Sequence, residues 1–153
     1  MASFFFDSSA LFKGYVTEKG SDWIRPLFEP AQRHRLFVIR VAHVELASAL
    51  ARRVQEGALT ASSQTSALTL FEYHLAHRFG VIEIDADLCR HAALLAQSRA
   101  LRAYDSLQLA GALKANSALQ ISSALGLVFL SSDVRLLNTA AAEELTVSNP
   151  EDH

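Results

Sequence analysis

The sequence contains a single cysteine and only three prolines among its 153 residues. One cysteine forms neither an internal disulfide nor a zinc site built on several cysteines, so a disulfide scaffold and a zinc finger are both excluded. No stretch reaches the roughly 18 uncharged apolar residues of a membrane span. The positively charged start of a secretory signal is missing before Phe4, Phe5 and Phe6. We therefore expect a cytoplasmic protein without membrane association.

Net charge is nearly absent as well: 14 basic and 16 acidic residues give a formal charge of −2. Nucleic acid is a polyanion that favours basic proteins, so any contact with it must depend on a local group of basic residues. Half of the residues are hydrophobic, and a chain of this length buries about 68–70% of its unfolded surface. We expect one domain over residues 1–148 and a disordered polar tail over residues 149–153.

Short apolar runs alternate with longer helical patterns along the chain, which is typical of an α/β domain with a parallel sheet. The predicted strands span residues 3–6, 36–39, 81–84, 127–130 and 145–148. The predicted helices span residues 10–15, 19–28, 41–55, 60–78, 86–100 and 106–115. Residues 116–124 have weaker periodicity, so a helix end and a loop both remain possible there.

The helical pattern predicts one buried stripe and one further buried residue. Within residues 41–55, the apolar residues Val44, Ala47, Ala51 and Val54 recur at steps of three and four, which predicts one buried stripe. Cys89 lies in an apolar helical stretch and is expected in the core.

Two aspartates follow predicted strands. Asp7 ends the run Phe4 to Phe6, and Asp133 comes after Leu130 by way of two serines. In a parallel α/β sheet, ligands bind at the carboxyl ends of the strands, so both acids are expected to face one crevice. An aspartate between a strand and a helix is also a common helix N-cap, and for either residue alone the cap is the preferred interpretation.

Two further acids lie in predicted helices. Asp105 precedes Gln108 in a pattern that suits a capping box. If the helix begins one turn earlier, Asp105 shares a face with Leu109, and a carboxylate on an apolar face needs a compensating cation or donor. Glu45 borders an apolar stripe and aligns with Arg52, so a helix-edge glutamate and a functional one are both open.

Together the four acids predict a cluster with oxygen ligands only. Such a cluster suits Mg²⁺ or Mn²⁺, which prefer carboxylate and water ligands. Without a cation the like charges repel, and with one they supply the binding energy. A divalent ion held in this way supports phosphodiester cleavage by activating water and stabilising the charged phosphate.

The four motifs, in this order, resemble those of PIN-domain ribonucleases, and most closely the VapC-type toxins of bacterial toxin–antitoxin pairs. They are Asp7-Ser8-Ser9-Ala10-Leu11, Glu45-Leu46-Ala47-Ser48-Ala49-Leu50, Tyr104-Asp105-Ser106-Leu107-Gln108-Leu109-Ala110 and Leu130-Ser131-Ser132-Asp133. The resemblance covers Ser3 to about Val147. It implies a three-layer α/β/α sandwich with a parallel five-stranded sheet and a Mg²⁺- or Mn²⁺-dependent endoribonuclease. It also implies a homodimer neutralised by a small antitoxin protein.

The resemblance also implies roles for particular residues. Asp7, Glu45, Asp105 and Asp133 match the acidic metal-site positions, which are also the catalytic ones. Ser9 matches a small polar position beside the first aspartate. Ser132 matches a position where a hydroxyl orients the last aspartate or a water, with serine in place of the family's usual threonine.

Contacts to RNA phosphates are expected from basic residues in local groups, because the whole chain is slightly acidic. The candidates are Arg33, Arg35, Arg52 and Arg102, and a solvated surface is the alternative for each. For the homodimer, an exposed aromatic patch of Trp23, Phe28, Phe71 and Tyr73 is one interpretation, and completion of the monomer's own core is the other.

Other patterns are less informative. His74 and His77 share a helix face, but no zinc motif surrounds them, and Asp85 is expected to be a helix N-cap. A receiver-like or phosphatase-like domain also has an aspartate after its first strand, but it needs a second acid where this chain has Ser8 and Ser9. From a different functional class, a catalytically silent PIN-like module that binds RNA or protein remains the alternative.

Overall fold

The computed structural model describes residues 1–122 and 125–153, and this part of the chain contains five strands and seven α-helices. The strands are β1 (Ser3–Phe6), β2 (Arg35–Ile39), β3 (Phe79–Ile82), β4 (Leu127–Leu130) and β5 (Thr146–Ser148). The helices are α1 (Ser8–Phe12), α2 (Ser21–Ile24), α3 (Ala42–Gln55), α4 (Ala61–His77), α5 (Ala86–Arg99), α6 (Ala103–Ser122) and α7 (Val134–Ala142). Short 3₁₀ turns occupy Arg25–Phe28, Pro30–Gln32 and Pro150–Asp152.

The strands form one parallel sheet in the order β3-β2-β1-β4-β5. The predicted α/β class with a five-stranded parallel sheet is therefore confirmed. β1 lies at the centre, between β2 and β4. All five carboxyl ends point to one edge of the sheet, so the residues that follow β1, β2 and β4 lie near one another.

The phenylalanines of β1 show that both faces of the sheet are covered. Successive side chains of a strand point to opposite faces. The Phe5 ring stacks on Phe129 and lies beside Gly111 of α6, where a Cβ would come within 3.2 Å of that ring. On the other face, the Phe6 ring packs edge-on against Phe28 and Phe79. Helices on both faces give the expected three layers.

The buried stripe of α3 differs from the predicted one. Its buried residues are Ala42, Leu46 and Leu50, whereas Val44 is 65% exposed. Both sets recur at helical spacing, but the leucines remove more apolar area from water than the alanines of the predicted stripe. The consequence is that Glu45 borders the core at the start of the helix, in its first turn.

Three other predictions need correction or completion. Cys89 is exposed, because the buried face of α5 consists of Leu88, Ala92 and Leu95. The predicted helix over residues 19–28 is the short α2 followed by a 3₁₀ turn that contains Pro26 near its start. The predicted helix 106–115 begins three residues earlier and reaches Ser122, while residues 123 and 124 of the segment left open lie outside the described residues.

The tail expected to be disordered forms a 3₁₀ turn instead. Asn149 caps this turn through its side chain, Pro150 is buried, and the His153 ring stacks on Trp23 at 4.2 Å between centroids. Glu151 forms an ion pair with Lys13 at 2.9 Å. These contacts hold the polar tail against the domain. Within the described residues, no helix has the length and apolar character needed to cross a membrane.

Candidate active site

The Asp7 carboxylate lies where β1 passes into α1, and it is almost completely buried. Its Oδ1 accepts hydrogen bonds from the Ala10 amide at 2.9 Å and the Ser9 hydroxyl at 2.7 Å. Its Oδ2 accepts one from the Ser131 hydroxyl at 2.6 Å. Asp7 is therefore the N-cap of α1, and its side chain is also fixed from the neighbouring strand.

Serine hydroxyls join the ends of β1 and β4. The Asp7 amide donates to the Leu130 carbonyl at 3.1 Å. The Ser9 hydroxyl accepts from the Ser132 amide at 2.9 Å, and the Ser131 hydroxyl accepts from the Asp133 amide at 3.0 Å. Ser9 thus occupies the position beside Asp7 that the sequence predicted. The Ser131 hydroxyl, which the sequence did not single out, contacts both the Asp7 carboxylate and the Asp133 amide, while the role expected of Ser132 stays a prediction.

Burial dominates the electrostatics of Asp7. It raises the pKa of this carboxyl to about 6, against the opposing effect of the hydrogen bonds from Ser131, Ala10 and Ser9. The negative charge of Glu45 raises the pKa further. A buried carboxylate beside a second acid is unfavourable unless a cation compensates it.

Glu45 reaches the same region from the first turn of α3. Its Oε1 accepts a hydrogen bond from Gln108 Nε2 at 2.9 Å, and the same nitrogen donates to the Ser8 hydroxyl at 3.0 Å. Glu45 lines a cavity of about 610 Å³. The other polar residues that line this cavity are Ser8, Ser9, Lys13, Glu18, Ser48, Arg52, Arg53, Glu56, Tyr104, Ser132 and Glu151.

Asp105 and Asp133 form a second pair. Asp105 lies half-buried in the first turn of α6, and Asp133 is the exposed N-cap of α7, where it accepts from the Arg135 amide at 2.9 Å. Burial and the charge of Asp133 raise the pKa of Asp105, while Arg102 and Arg135 act in the opposite direction. The early start of α6 confirms the alternative in which Asp105 is not a capping residue.

The four predicted acids therefore stand as two pairs, Asp7 with Glu45 and Asp105 with Asp133. Among residues 1–122 and 125–153, no three or more His, Cys, Asp or Glu side chains lie close enough to hold one ion. Within the same part of the chain, none of the four carboxylates has a basic partner. Unpaired carboxylate oxygens are the donors that Mg²⁺ and Mn²⁺ prefer, so the donor set fits a hard divalent cation.

The four candidate RNA-contacting arginines divide between the two edges of the sheet. Arg52 lines the large cavity with Glu45, and Arg102 lines a small cavity with Asp105 and Asp133. Arg35 starts β2 and pairs with Ser3, so Arg33 and Arg35 lie at the amino edge, away from Asp7. The parallel register thus places only two of the four beside the acids.

Sequence reasoning missed several residues of the site. Ser131, Gln108 and Lys13 are buried polar residues that contact the acids or line their cavity. The signal for Gln108 was present, because the start of α6 that puts Asp105 on an inward face does the same for a residue three positions later. As predicted, Asp85 caps α5.

The comparison with protein-family models decides the family. The model of the PIN domain matches residues 4–142, which is most of the chain and includes all four acids. The chain belongs to the PIN domain family. No curated protein matches it significantly in sequence.

Solved structures share the fold of this chain. PAE2754 from Pyrobaculum aerophilum is similar with a TM-score of 0.65 and 19% identity, over 99% of this chain and 91% of that one. VapBC2 from Rickettsia felis, bound to a DNA fragment from its promoter, gives a TM-score of 0.62 and 14% identity, over 96% and 98%. FitAcB from Neisseria gonorrhoeae gives 0.56 and 15%, over 96% and 97%. At these identities the likeness shows the fold.

Proposed function

We propose that this PIN domain is a Mg²⁺- or Mn²⁺-dependent endoribonuclease and the toxin of a toxin–antitoxin pair. The observation that carries the proposal is the pair of uncompensated carboxylates, Asp7 and Glu45, at the carboxyl edge of a PIN-family sheet. A buried acid with a raised pKa beside a second acid is a feature of functional sites. An RNA substrate and an antitoxin partner imply a cytoplasmic location.

We assign the cation to the pair Asp7 and Glu45, where it would supply a water activated for attack and would stabilise the charge on the phosphate, with Asp105 and Asp133 as a second pair of carboxylates that the family resemblance also assigns to the metal site. The chain's own groups prepare that site. Ser9 and Ser131 fix both oxygens of Asp7. Arg52 lines the cavity of Glu45 and Arg102 lines that of Asp105 and Asp133, and in this proposal both would contact RNA phosphates. Ser132 lines the cavity, where it can contact the substrate or a water.

The first test is cleavage of single-stranded RNA by purified protein free of any antitoxin. We expect cleavage with Mg²⁺ or Mn²⁺ and none with EDTA, and we expect Asp7→Asn to abolish it because the amide keeps the shape and loses the charge. Asp85→Asn is the matched control, since Asp85 is also a helix-capping aspartate that follows a strand, but it is exposed and pairs with Lys114. Undiminished cleavage in EDTA, or equal activity of Asp7→Asn, contradicts the proposal.

The toxin role is supported by relatives that are themselves toxin–antitoxin complexes, such as VapBC2. We expect expression of this chain alone to arrest growth, and Asp105→Ala at the same expression level to lift the arrest. Co-expression of a small protein encoded immediately upstream should restore growth. We expect such an antitoxin to place a basic side chain among the acids.

A catalytically silent PIN-like module that binds RNA or protein is the alternative function. It predicts RNA binding without cleavage, and no difference in growth between the natural chain and Asp105→Ala. Metal-dependent cleavage that Asp7→Asn abolishes rules this alternative out.

A homodimer is part of the proposal. Two of the four aromatic residues considered for its interface, Phe28 and Phe71, are buried in the monomer's core. Tyr73 is 58% exposed and Leu70 is 45% exposed on α4, where both line a cavity of about 370 Å³. This exposed face of α4 is the surface we assign to the dimer.

A further inference from the structure

Gln108 is a polar side chain in the interior, only 2% exposed, on the inward face of α6. Its Nε2 donates to Glu45 Oε1 at 2.9 Å and to Ser8 Oγ at 3.0 Å. One amide nitrogen therefore joins α6 to the start of α3 and to the start of α1. Ser8 directly follows Asp7, so the same amide links Glu45 to the segment that carries Asp7.

The orientation of this amide is determined by its partners. If it were flipped, Oε1 would face the Glu45 carboxylate, and two acceptors would meet without a hydrogen between them. In the observed orientation Oε1 is buried and has no hydrogen-bond partner in the described part of the chain. A buried polar atom without a partner is unfavourable, so its presence calls for an explanation beyond packing. The contact of Nε2 with Glu45 supplies one.

Glu45 depends on this contact for its orientation. Within residues 1–122 and 125–153, the bond from Gln108 is the only hydrogen bond of the Glu45 side chain, and that side chain has no ion pair. A glutamate has three rotatable side-chain bonds, so without a donor its carboxylate is free to turn into the cavity in several ways. Gln108 holds one oxygen and leaves Oε2 for a ligand.

We propose that Gln108 is a positioning residue that sets the Glu45 carboxylate relative to Asp7 for a divalent cation. The proposal rests on the function proposed above, because it assigns to Gln108 a part in the same cation site. Partners that orient metal-binding carboxylates typically change metal affinity or activity by about 10–100-fold when they are removed.

The test measures Mn²⁺ binding directly, by calorimetry and by electron paramagnetic resonance, in the full chain without RNA. Gln108→Met keeps a similar volume and removes both donors, and we expect the Kd for Mn²⁺ to rise about 10–100-fold. Gln108→Asn, one methylene shorter, should act in the same direction because its amide falls short of Glu45. Gln97→Met on the exposed face of α5 is the matched control and should leave the Kd unchanged.

A second readout separates positioning from a general structural role. RNA cleavage by Gln108→Met should recover at Mn²⁺ concentrations raised by the same factor, with the KM for RNA unchanged. A Kd within twofold of the natural chain overturns the role of Gln108. Loss of the near-ultraviolet circular dichroism signal in both variants also overturns it, because Gln108 is then needed for the fold itself. If the natural chain binds no Mn²⁺, the proposed function fails rather than this assignment alone.

Discussion

The Asp7 carboxylate accepts hydrogen bonds from three groups, and these bonds serve different purposes. The bond from the Ala10 amide begins α1, while the bonds from Ser9 and Ser131 fix the side chain at the junction of two strands. The hydrogen bonds do not remove the cost of burying the charge, because burial still raises the pKa to about 6. This cost is what a bound cation would offset.

This cost predicts that Asp7→Asn stabilises the metal-free protein. The pKa of Asp7 is about 6 in the folded state, against 3.8 as its ordinary value. Between these values the folded chain binds more protons than the unfolded one, so the stability of the natural chain falls as the pH rises. Above pH 6 the penalty is fully present and is on the order of 3 kcal/mol. Urea unfolding in EDTA should show the variant gaining stability over the natural chain from pH 4 to pH 7.

Asp85→Asn is the control for this prediction, and its expected sign is the opposite. The hydrogen bonds from the Leu88 amide and Lys114 hold the pKa of Asp85 below its ordinary value. Ionised Asp85 therefore stabilises the fold at neutral pH, and its replacement should cost stability there. If Asp7→Asn behaves like Asp85→Asn, Asp7 is only a helix cap.

A residue of the site could be predicted from the sequence when its signal lies in neighbouring residues. It could not be predicted when its hydrogen-bond partner is far away along the chain. Asp7 and Asp133 were identified because Asp7 directly follows a strand and Asp133 follows another after two serines, which are local patterns. Ser131 and Gln108 were not, because their partners lie 124 and 63 positions away in the sequence. Only the order of the strands and the rotation of α6 bring those partners together.

At the scale of elements, rotation about the helix axis was harder to predict than the helix itself. Two sets of apolar residues in α3 satisfy the same helical spacing, and the choice between them depends on what the sheet presents. Leu46 and Leu50 are the buried residues because their larger side chains fill the space beside the strands. The C-terminal turn was missed for a similar reason, since its polar residues are held by Lys13 and Trp23 from distant parts of the chain.

Glu151 of the C-terminal turn forms an ion pair with Lys13, the C-cap residue of α1, and this ion pair is part of a network that can be tested. Lys13 is 3% exposed and pairs with Glu18 and Glu151, each at 2.9 Å. Burial lowers the pKa of Lys13, but the hydrogen bonds and charges of Glu151 and Glu18 outweigh it and raise the pKa above its ordinary value. Both glutamates are partly exposed, so water can solvate them if the lysine is removed.

We therefore expect unequal effects from the two sides of this network. Lys13→Met should cost about 1 kcal/mol or less, because an apolar side chain suits the buried position. The double variant Glu18→Ala and Glu151→Ala should cost more stability than Lys13→Met, because it leaves the Lys13 ammonium without its two partners. Urea unfolding at pH 7 measures both. If Lys13→Met loses more stability than the double variant, the hydrogen bonds and ion pairs of Lys13 stabilise the fold, and the expectation is contradicted.

At the scale of the whole molecule, the sheet order explains why the candidate site is at one edge. β1 is central, so Asp7 sits between the elements that follow β2 and β4, namely the start of α3 and the segment before α7. The alternation of strands and helices was enough to predict the fold class. It did not predict that Arg33 and Arg35 lie at the opposite edge, which is a consequence of parallel pairing between Ser3 and Arg35.

The monomer's core is complete without a partner, so the proposed dimer must form through residues that the core leaves exposed. Phe71 is fully buried, whereas Leu70 and Tyr73 on the same helix remain exposed beside a cavity. Light scattering at micromolar concentration should give twice the chain mass of 16.7 kDa. Leu70→Glu combined with Tyr73→Glu should reduce the measured mass to that of a single chain, because burying two charges across an interface is unfavourable.

Leu94→Glu, at a residue 64% exposed on α5, is the control and should leave the dimer intact. A single-chain mass for the natural protein would assign the whole site to one chain and leave the exposed face of α4 free for an antitoxin.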